Sequence, residues 1–266
     1  MRVVTFNLHA GVDGWGRPTS VIDHVATLHA DVLILPELWR GEHDHDLFHE
    51  VKERLTMDGA FATLATGERV STSEGGRNWQ PLTAHLTGER GLYFDEHRSL
   101  TRAQRARRAA IGEIEKGQWG LGLLTRFPID DIQVIPLGRL PREKVNRAII
   151  MAKLRDGDRL FYVIAVHGAH LSHGSYRQYQ RINDYVLTLD QSLPIVLGGD
   201  FNSWRPLLRV LLPGWRSTVR ARTWPARLPH SQIDHLLVRG AWTLRGGFAS
   251  DGGSDHRALV CDIDLD

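Results

Sequence analysis

The sequence predicts a single α/β domain whose sheets pack in layers. Three observations carry this. Short apolar runs of strand character recur throughout the 266 residues. Several, such as Val32-Leu33-Ile34-Leu35 and Phe161 through Val166, are apolar on both faces, as in strands covered on each side. Helical patterns lie between them, and no Pro/Gly linker divides the chain.

In chain order, strands are expected at Val3–Leu8 and Val32–Leu35, on either side of a helical pattern at Thr19–His29. A second helix is expected over Asp46–Met57. Gly67–Gly91 is polar and glycine-rich and reads as a long loop, followed by a helix over Glu96–Lys116. That helix places Arg98, Arg102, Arg105 and Arg108 on one face, while Leu100, Ala103, Ala110, Ile111 and Ile114 favour another. The arginines form either a solvated face or a contact surface for a phosphate-rich substrate, since guanidinium forks match phosphate geometry. Strands follow at Gly120–Leu124, Ile132–Ile135, Ala148–Leu154 and Arg159–Val166. A helix at Tyr176–Gln191, a strand at Ile195–Leu197, a short helix at Pro206–Leu211 and strands at Ile233–Val238 and Arg257–Asp262 complete the pattern. No internal repeat is evident.

Composition narrows the partners. The formal net charge is only +2, so no global basic field announces a nucleic-acid partner, and any such partner must use a local patch. The single cysteine, Cys261, excludes an internal disulfide and reads as a buried structural thiol. No apolar run approaches the ~20 residues of a membrane span. Met1 to Phe6 runs directly into a strand, unlike a signal peptide, and a reducing cytoplasm is the expected location.

The residues suited to chemistry gather at strand ends. Asp200 and Asn202 follow the apolar strand Ile195-Val196-Leu197 and Gly198-Gly199; in extended backbone, residues two apart point the same way. The two glycines permit a close approach of backbone or ligand. A carboxylate beside an amide suits a hard cation and a water, although an Asn turn cap would look the same. Glu37 and Asn7 end the first two strands, where open α/β sheets build their sites, and each taken alone is equally an ordinary surface or turn residue. His170 and His167 both lie at the end of the Phe161–Val166 strand. His170 is the preferred site residue, because a helical run with Arg177 and Gln180 follows it, and His167 is read as structural.

Asp234 interrupts an otherwise apolar strand, and a buried carboxylate is costly unless paired. His256, in Gly252-Gly253-Ser254-Asp255-His256, is its candidate partner, a pairing that fixes the imidazole tautomer and raises its basicity. Asp255 is placed to assist at a metal, and His235 to face away from Asp234. His43, His45 and His49 form a competing cluster suited to zinc, against which stands a polar helix start capped by Asp46. Trp204 is positioned either to stack on a base or sugar or to pack at the rim.

Together Asn7, Glu37, His170, Asp200 with Asn202, Asp234, and Asp255 with His256 resemble the endonuclease/exonuclease/phosphatase superfamily, which includes deoxyribonuclease I, apurinic endonucleases, sphingomyelinases and inositol phosphatases. The resemblance spans residues 1–266. Its most specific pieces are Gly-Asp-Phe-Asn at 199–202, Ile-Asp-His at 233–235 and Ser-Asp-His at 254–256. It implies one domain, a four-layered α/β/β/α sandwich of the deoxyribonuclease I-like type, with the site at one edge of two central sheets and a substrate-recognition insertion near 67–117. It implies roles as well. Glu37, with Asn7 and Asp255 nearby, would hold Mg²⁺ or Mn²⁺. Asp200 and Asn202 would orient water and phosphate, Asp234 and His256 would form a dyad, and His170 would contact the phosphate or leaving group. Pro36 stands where many relatives have glutamine, and residues 67–117 match no particular subfamily.

The expected activity is metal-dependent hydrolysis of phosphodiester bonds, nuclease-like, on a phosphate-ester substrate such as nucleic acid. The arginine face and the 8 tryptophans favour it. The enzymatic alternatives are a phosphomonoesterase or a phospholipid or sphingomyelin head-group phosphodiesterase. A non-catalytic protein that binds phosphate polymers is the alternative of another class. The oligomeric state is not legible.

Overall fold

The computed structural model describes residues 1–13, 18–43, 45–71, 113–141, 143, 145–170 and 173–266. Arg98, Arg102 and Arg105, assigned to substrate contact, and Arg108 lie outside the described residues, as does most of the expected insertion.

Among the described residues the strands form two six-stranded sheets. The first holds β1 (Arg2–Thr5), β2 (Val32–Gly41), β3 (Asp58–Ser71), β4 (Glu113–Thr125), β11 (Trp242–Asp251) and β12 (Arg257–Leu265), in the order β11-β12-β1-β2-β4-β3. The second holds β5 (Ile129–Gly138), β6 (Arg147–Asp156), β7 (Arg159–His167), β8 (Ile195–Asp200), β9 (Arg216–Ser217) and β10 (Asp234–Arg239), in the order β5-β6-β7-β8-β10-β9. β1 and β2 are parallel, as are β7 and β8.

The two-sided apolar runs are explained by what covers each face. In β2, Val32 and Ile34 point into a core shared with Ile150, Val163 and Leu236 of the opposite sheet. Leu33 and Leu35 point the other way, onto helices α1 (Val21–Thr27) and α2 (Leu47–Leu55), where they meet Val25, Phe48 and Val51. The second sheet repeats this: Ile164 and Leu197 pack on Tyr179, Ile182 and Leu208 of α3 (Tyr176–Thr188) and α4 (Arg205–Leu211). The result is the expected α/β/β/α sandwich, with Cys261 buried in the central core. No helix among the described residues is long and apolar enough to cross a membrane.

Several elements depart from expectation: no strand was expected over the Asp58–Ser71 span of β3 or at the two-residue β9. β3 pairs with β4 as far as Ser71 opposite Glu113, so Gly67–Ser71 is strand rather than loop and Glu113–Lys116 is strand rather than helix. β11, which was not expected at all, is an edge strand with mostly exposed residues, held by its ladder to β12. β2 continues past Pro36 to Gly41 through an irregularity between Pro36 and Leu38.

Gly198 and Gly199 serve protein packing. A Cβ on Gly198 would lie 2.7 Å from Ile34 Cδ1 of the other sheet and 2.6 Å from Leu236. Gly199 has φ +142°, and its Cβ would fall 1.8 Å from the Val166 carbonyl oxygen. The glycines therefore set how closely β8 approaches β7 and the first sheet, and so where Asp200 sits.

Candidate active site

The end of β1 and the irregular middle of β2 from one sheet meet the ends of β7 and β8 from the other, and the start of β10 lies beside them. Asn7 follows β1. Its position is held by backbone bonds that continue the parallel pairing, Phe6 N–H to Ile34 O and Leu8 N–H to Pro36 O, both 3.0 Å. Its amide nitrogen donates to Glu37 Oε1 and to Asp200 Oδ2, each at 3.0 Å, and its oxygen accepts from His9 N–H at 3.0 Å. Asn7 thus ties a carboxylate of the first sheet to one of the second. Glu37 does not end its strand; at φ +55° it occupies the irregularity in β2, a backbone conformation uncommon outside glycine that is typical of functional sites.

Asp200 closes β8 and is buried. Its partner Asn202 does not share its side by extended alternation, because Asn202 lies at φ +48°. Asp200 Oδ1 instead accepts the Asn202 N–H at 2.7 Å in an Asx turn, and Asn202 Nδ2 donates to Gly168 O at 3.2 Å. The turn brings the pair together by a different route from the one expected.

Asp234 begins β10 directly opposite Asp200 in the antiparallel register. Its Oδ2 lies 2.8 Å from His256 Nδ1, and both residues are buried, as expected of the dyad. His256 Nε2 stands 3.9 Å from Asp200 Oδ2. The loop carrying His256 is fastened to Asn7 by Ser254 Oγ–H donating to the Asn7 carbonyl at 2.7 Å. Asp255 is placed differently from its neighbours. It is partly exposed, 3.5 Å from His9 Nδ1, and stands outside the two groups of potential metal-ligating atoms described below.

It is His167, not His170, that reaches the carboxylates. β7 ends at His167, in register with Asp200, and its Nε2 lies 3.7 Å from Glu37 Oε1 and 3.8 Å from Asp200 Oδ2. His170 is beyond the turn, exposed, with its ring 6.0 Å from that of His173. His167 is the last residue of β7, and Gly168 follows it. Beneath His167 lies a network that sequence reading missed. Buried Arg147 Nε donates to Glu143 at 2.8 Å, Gln178 Nε2 donates to Glu143 at 3.0 Å, and Gln178 Oε1 accepts the Ala169 N–H at 2.9 Å, fixing the 167–169 turn. Trp119 packs its ring 5.1 Å from the His167 ring.

His235 and the His43–His49 group agree with the structural alternatives. His235 points away and bonds Ser203 O at 3.0 Å. Asp46 caps α2 by accepting from Phe48 and His49 N–H and also binds Arg40 and His49, which supports a helix start rather than a zinc cluster. Trp204, just before α4, is 57% exposed.

Electrostatics separates the titrating groups. Burial, then the charge of Asp234, pushes the Asp200 carboxyl up to about 7, outweighing the opposing pull of His256. Burial alone would lower His256, but the charge and hydrogen bond of Asp234, with the charge of Asp200, hold it well above the ordinary imidazole value. His167 is held well below that value by burial and by the charges of Arg147 and His256. The site therefore offers one cationic imidazole, one neutral imidazole and a carboxyl poised near neutrality.

The donor set fits a hard divalent cation. Ligand atoms of Glu37, His167 and Asp200 lie within 4.8 Å of one another, as do those of Asp200, Asp234 and His256. Among the described residues the buried Asp234 Oδ1 has no hydrogen-bond partner, so the pocket holds more carboxylate oxygens than these donors satisfy.

A profile of the Endonuclease/Exonuclease/phosphatase family matches residues 4–256. The chain belongs to that family. Its members are in general hydrolases of phosphoester bonds that depend on a divalent metal. Solved structures agree on the fold. An endonuclease/exonuclease/phosphatase family protein from Leptotrichia buccalis matches with a TM-score of 0.68 at 13% identity, covering 100% of both chains. The human Nocturnin catalytic domain with bound sulfate matches at 0.64 and 18%, covering 100% of this chain and 93% of its own. D. rerio TDP2 in complex with a single-strand DNA product matches at 0.62 and 12%, covering 100% of this chain and 99% of its own. No individual curated protein matches the sequence significantly.

Proposed function

We propose that this family member hydrolyses phosphodiester bonds of nucleic acid, using Mg²⁺ or Mn²⁺. The observation that carries the reading is the convergence of Glu37, His167, Asp200 and the Asp234–His256 dyad, drawn from both sheets, at one edge of the sandwich. Such a set suits phosphoryl chemistry, where repulsion of the nucleophile and charge on the departing oxygen must both be met.

Glu37 and Asp200 would hold the cation, which supplies Lewis acidity to the phosphate oxygens. Asn7 keeps the two carboxylates in place through its amide nitrogen. The ionised Asp200 carboxylate orients the water and takes its proton as that oxygen attacks phosphorus. His256, kept protonated by Asp234, donates a proton to the departing ester oxygen as its bond to phosphorus breaks. Neutral His167 and the Asn202 amide face the phosphate. Trp204 is the exposed ring nearest in sequence to this machinery and contacts base or sugar. Nucleic acid is favoured over lipid or small phosphate esters by the exposed Trp204, two residues after Asn202, and by the single-strand DNA product bound to the similar TDP2.

The test is a screen with added Mg²⁺ or Mn²⁺ over plasmid DNA, single-stranded DNA, RNA, bis-p-nitrophenyl phosphate, sphingomyelin and inositol phosphates. Asp200→Ala serves as control and is expected to lose on the order of 10²–10⁴-fold in rate while keeping its circular dichroism. Cleavage confined to lipid or monoester substrates, or an active Asp200→Ala protein, would overturn the proposal.

A further inference from the structure

Between β9 and β10 runs a segment, Thr218–Ile233, with no acidic residue. It carries Arg220, Arg222 and Arg227 around Trp224. Its inner side is pinned to the site. Ala226 N–H donates to Asp255 O at 2.7 Å, Arg257 N–H donates to Thr223 O at 2.8 Å, and Arg257 Nε donates to Ala226 O at 2.8 Å. The buried Thr223 Oγ1 accepts the N–H groups of Ile233 and Asp234, at 3.3 and 3.2 Å, so the loop is anchored on the dyad residue itself. A bridge between Trp224 and Ser231 closes its base.

The outer side is left to solvent. Trp224 is 37% exposed, and His230 meets its ring edge-on with centroids 5.4 Å apart. Arg220 and Arg222 are exposed and, among the described residues, have no carboxylate partner; Arg222 Nη1 reaches only the Pro229 carbonyl, at 3.5 Å. An exposed indole on the same segment as two exposed arginines without carboxylate partners, in a loop bonded to Asp255 through Ala226, is complementary to a polyanion whose flat groups are free to stack.

We infer that this loop holds an unpaired stretch of nucleic-acid strand, with one base on Trp224 and the flanking phosphates on Arg220 and Arg222, which feeds the adjoining phosphodiester to the site. The inference deepens the nuclease reading and rests on it. A single strand is the occupant because, within a duplex, both faces of each base are already covered by its neighbours.

Fluorescence anisotropy of a short labelled oligothymidylate, measured in EDTA so that no cleavage intervenes, tests this. A blunt duplex with the same label and phosphatidylserine vesicles are the competing ligands. The oligothymidylate is expected to bind tightest. Trp224→Leu should weaken it about tenfold, while Trp224→Phe retains most of the affinity. The Arg220→Ser/Arg222→Ser double variant should lower the slope of log affinity against log salt by about 0.7 for each arginine removed. Circular dichroism melts establish that the variants are folded, and the arginine pair carries the test if the tryptophan variants do not fold. Unchanged affinity in folded variants, or preference for duplex or vesicles, overturns the inference. Trp224-dependent binding by a protein that cleaves no phosphodiester with Mg²⁺ or Mn²⁺ overturns the nuclease reading instead.

Discussion

Asp234 acts through His256. A fully buried carboxylate 2.8 Å from an imidazole nitrogen favours the charged ring, and here that effect exceeds the desolvation that opposes it. Asp234→Asn keeps the size and an acceptor but removes the charge, so the folded-state value of His256 should fall. Because the proposed acid must be protonated, the alkaline limb of kcat/KM should move to lower pH in Asp234→Asn; a pH–rate profile measures this, and an unmoved limb would assign His256 another role. Asp200 carries a second pH signature. An unfolded aspartate titrates near 4, whereas burial and Asp234 push Asp200 to about 7. Between those values the folded protein binds a proton that the unfolded chain does not, so this group's contribution to stability is present at low pH and is lost as pH rises toward about 7. A divalent ion needs the ionised carboxylate. The gain in Tm on adding Mn²⁺ should therefore grow as pH rises to about 7 and then level off. Thermal melts with Mn²⁺ and with EDTA measure the difference; a gain independent of pH would place the ion elsewhere.

At the scale of elements, Gly199 sets the fit between β7 and β8. Its φ of +142° is unfavourable for any other residue, and an added Cβ would collide with the backbone oxygen of Val166, which cannot move without breaking the pairing. Gly199→Ala should cost on the order of 3 kcal/mol in stability, read by urea denaturation. What could be read from the sequence divides along similar lines. Strands buried on both faces, such as β2, β7 and β8, announce themselves because every residue must be apolar or small. β11 does not, since an exposed edge of Thr, Arg and Gly residues is strand only by virtue of its partner β12. The same reason hid the far ends of β3 and β4, which are strand by virtue of the ladder between them. Asn7, Glu37, Asp200 and Asp234 were each ambiguous alone and were picked out only as a set, by the order in which such groups recur along the chain. The choice between His167 and His170 was not legible, because it depends on the residue at which β7 stops and on its register with Asp200, both tertiary facts.

At the scale of the whole molecule, neither sheet contains the site. Asn7 and Glu37 come from one sheet, His167, Asp200 and Asp234 from the other, and His256 from the loop that leads into β12 of the first. The sheets are held in register by a shared core in which Ile34, three residues of chain before Glu37, packs against Gly198, two before Asp200. The arrangement explains why the functional residues span nearly the whole chain, and why a change in sheet separation would disturb the chemistry before it disturbed either sheet. The claim on which the rest depends is that Glu37 and Asp200 share one divalent ion across this junction. A crystal grown with Mn²⁺ and measured for anomalous scattering tests it directly. The account predicts a single strong peak bounded by the Glu37 and Asp200 carboxylates, and a peak that touches neither, or touches only one while the other turns away, would contradict it.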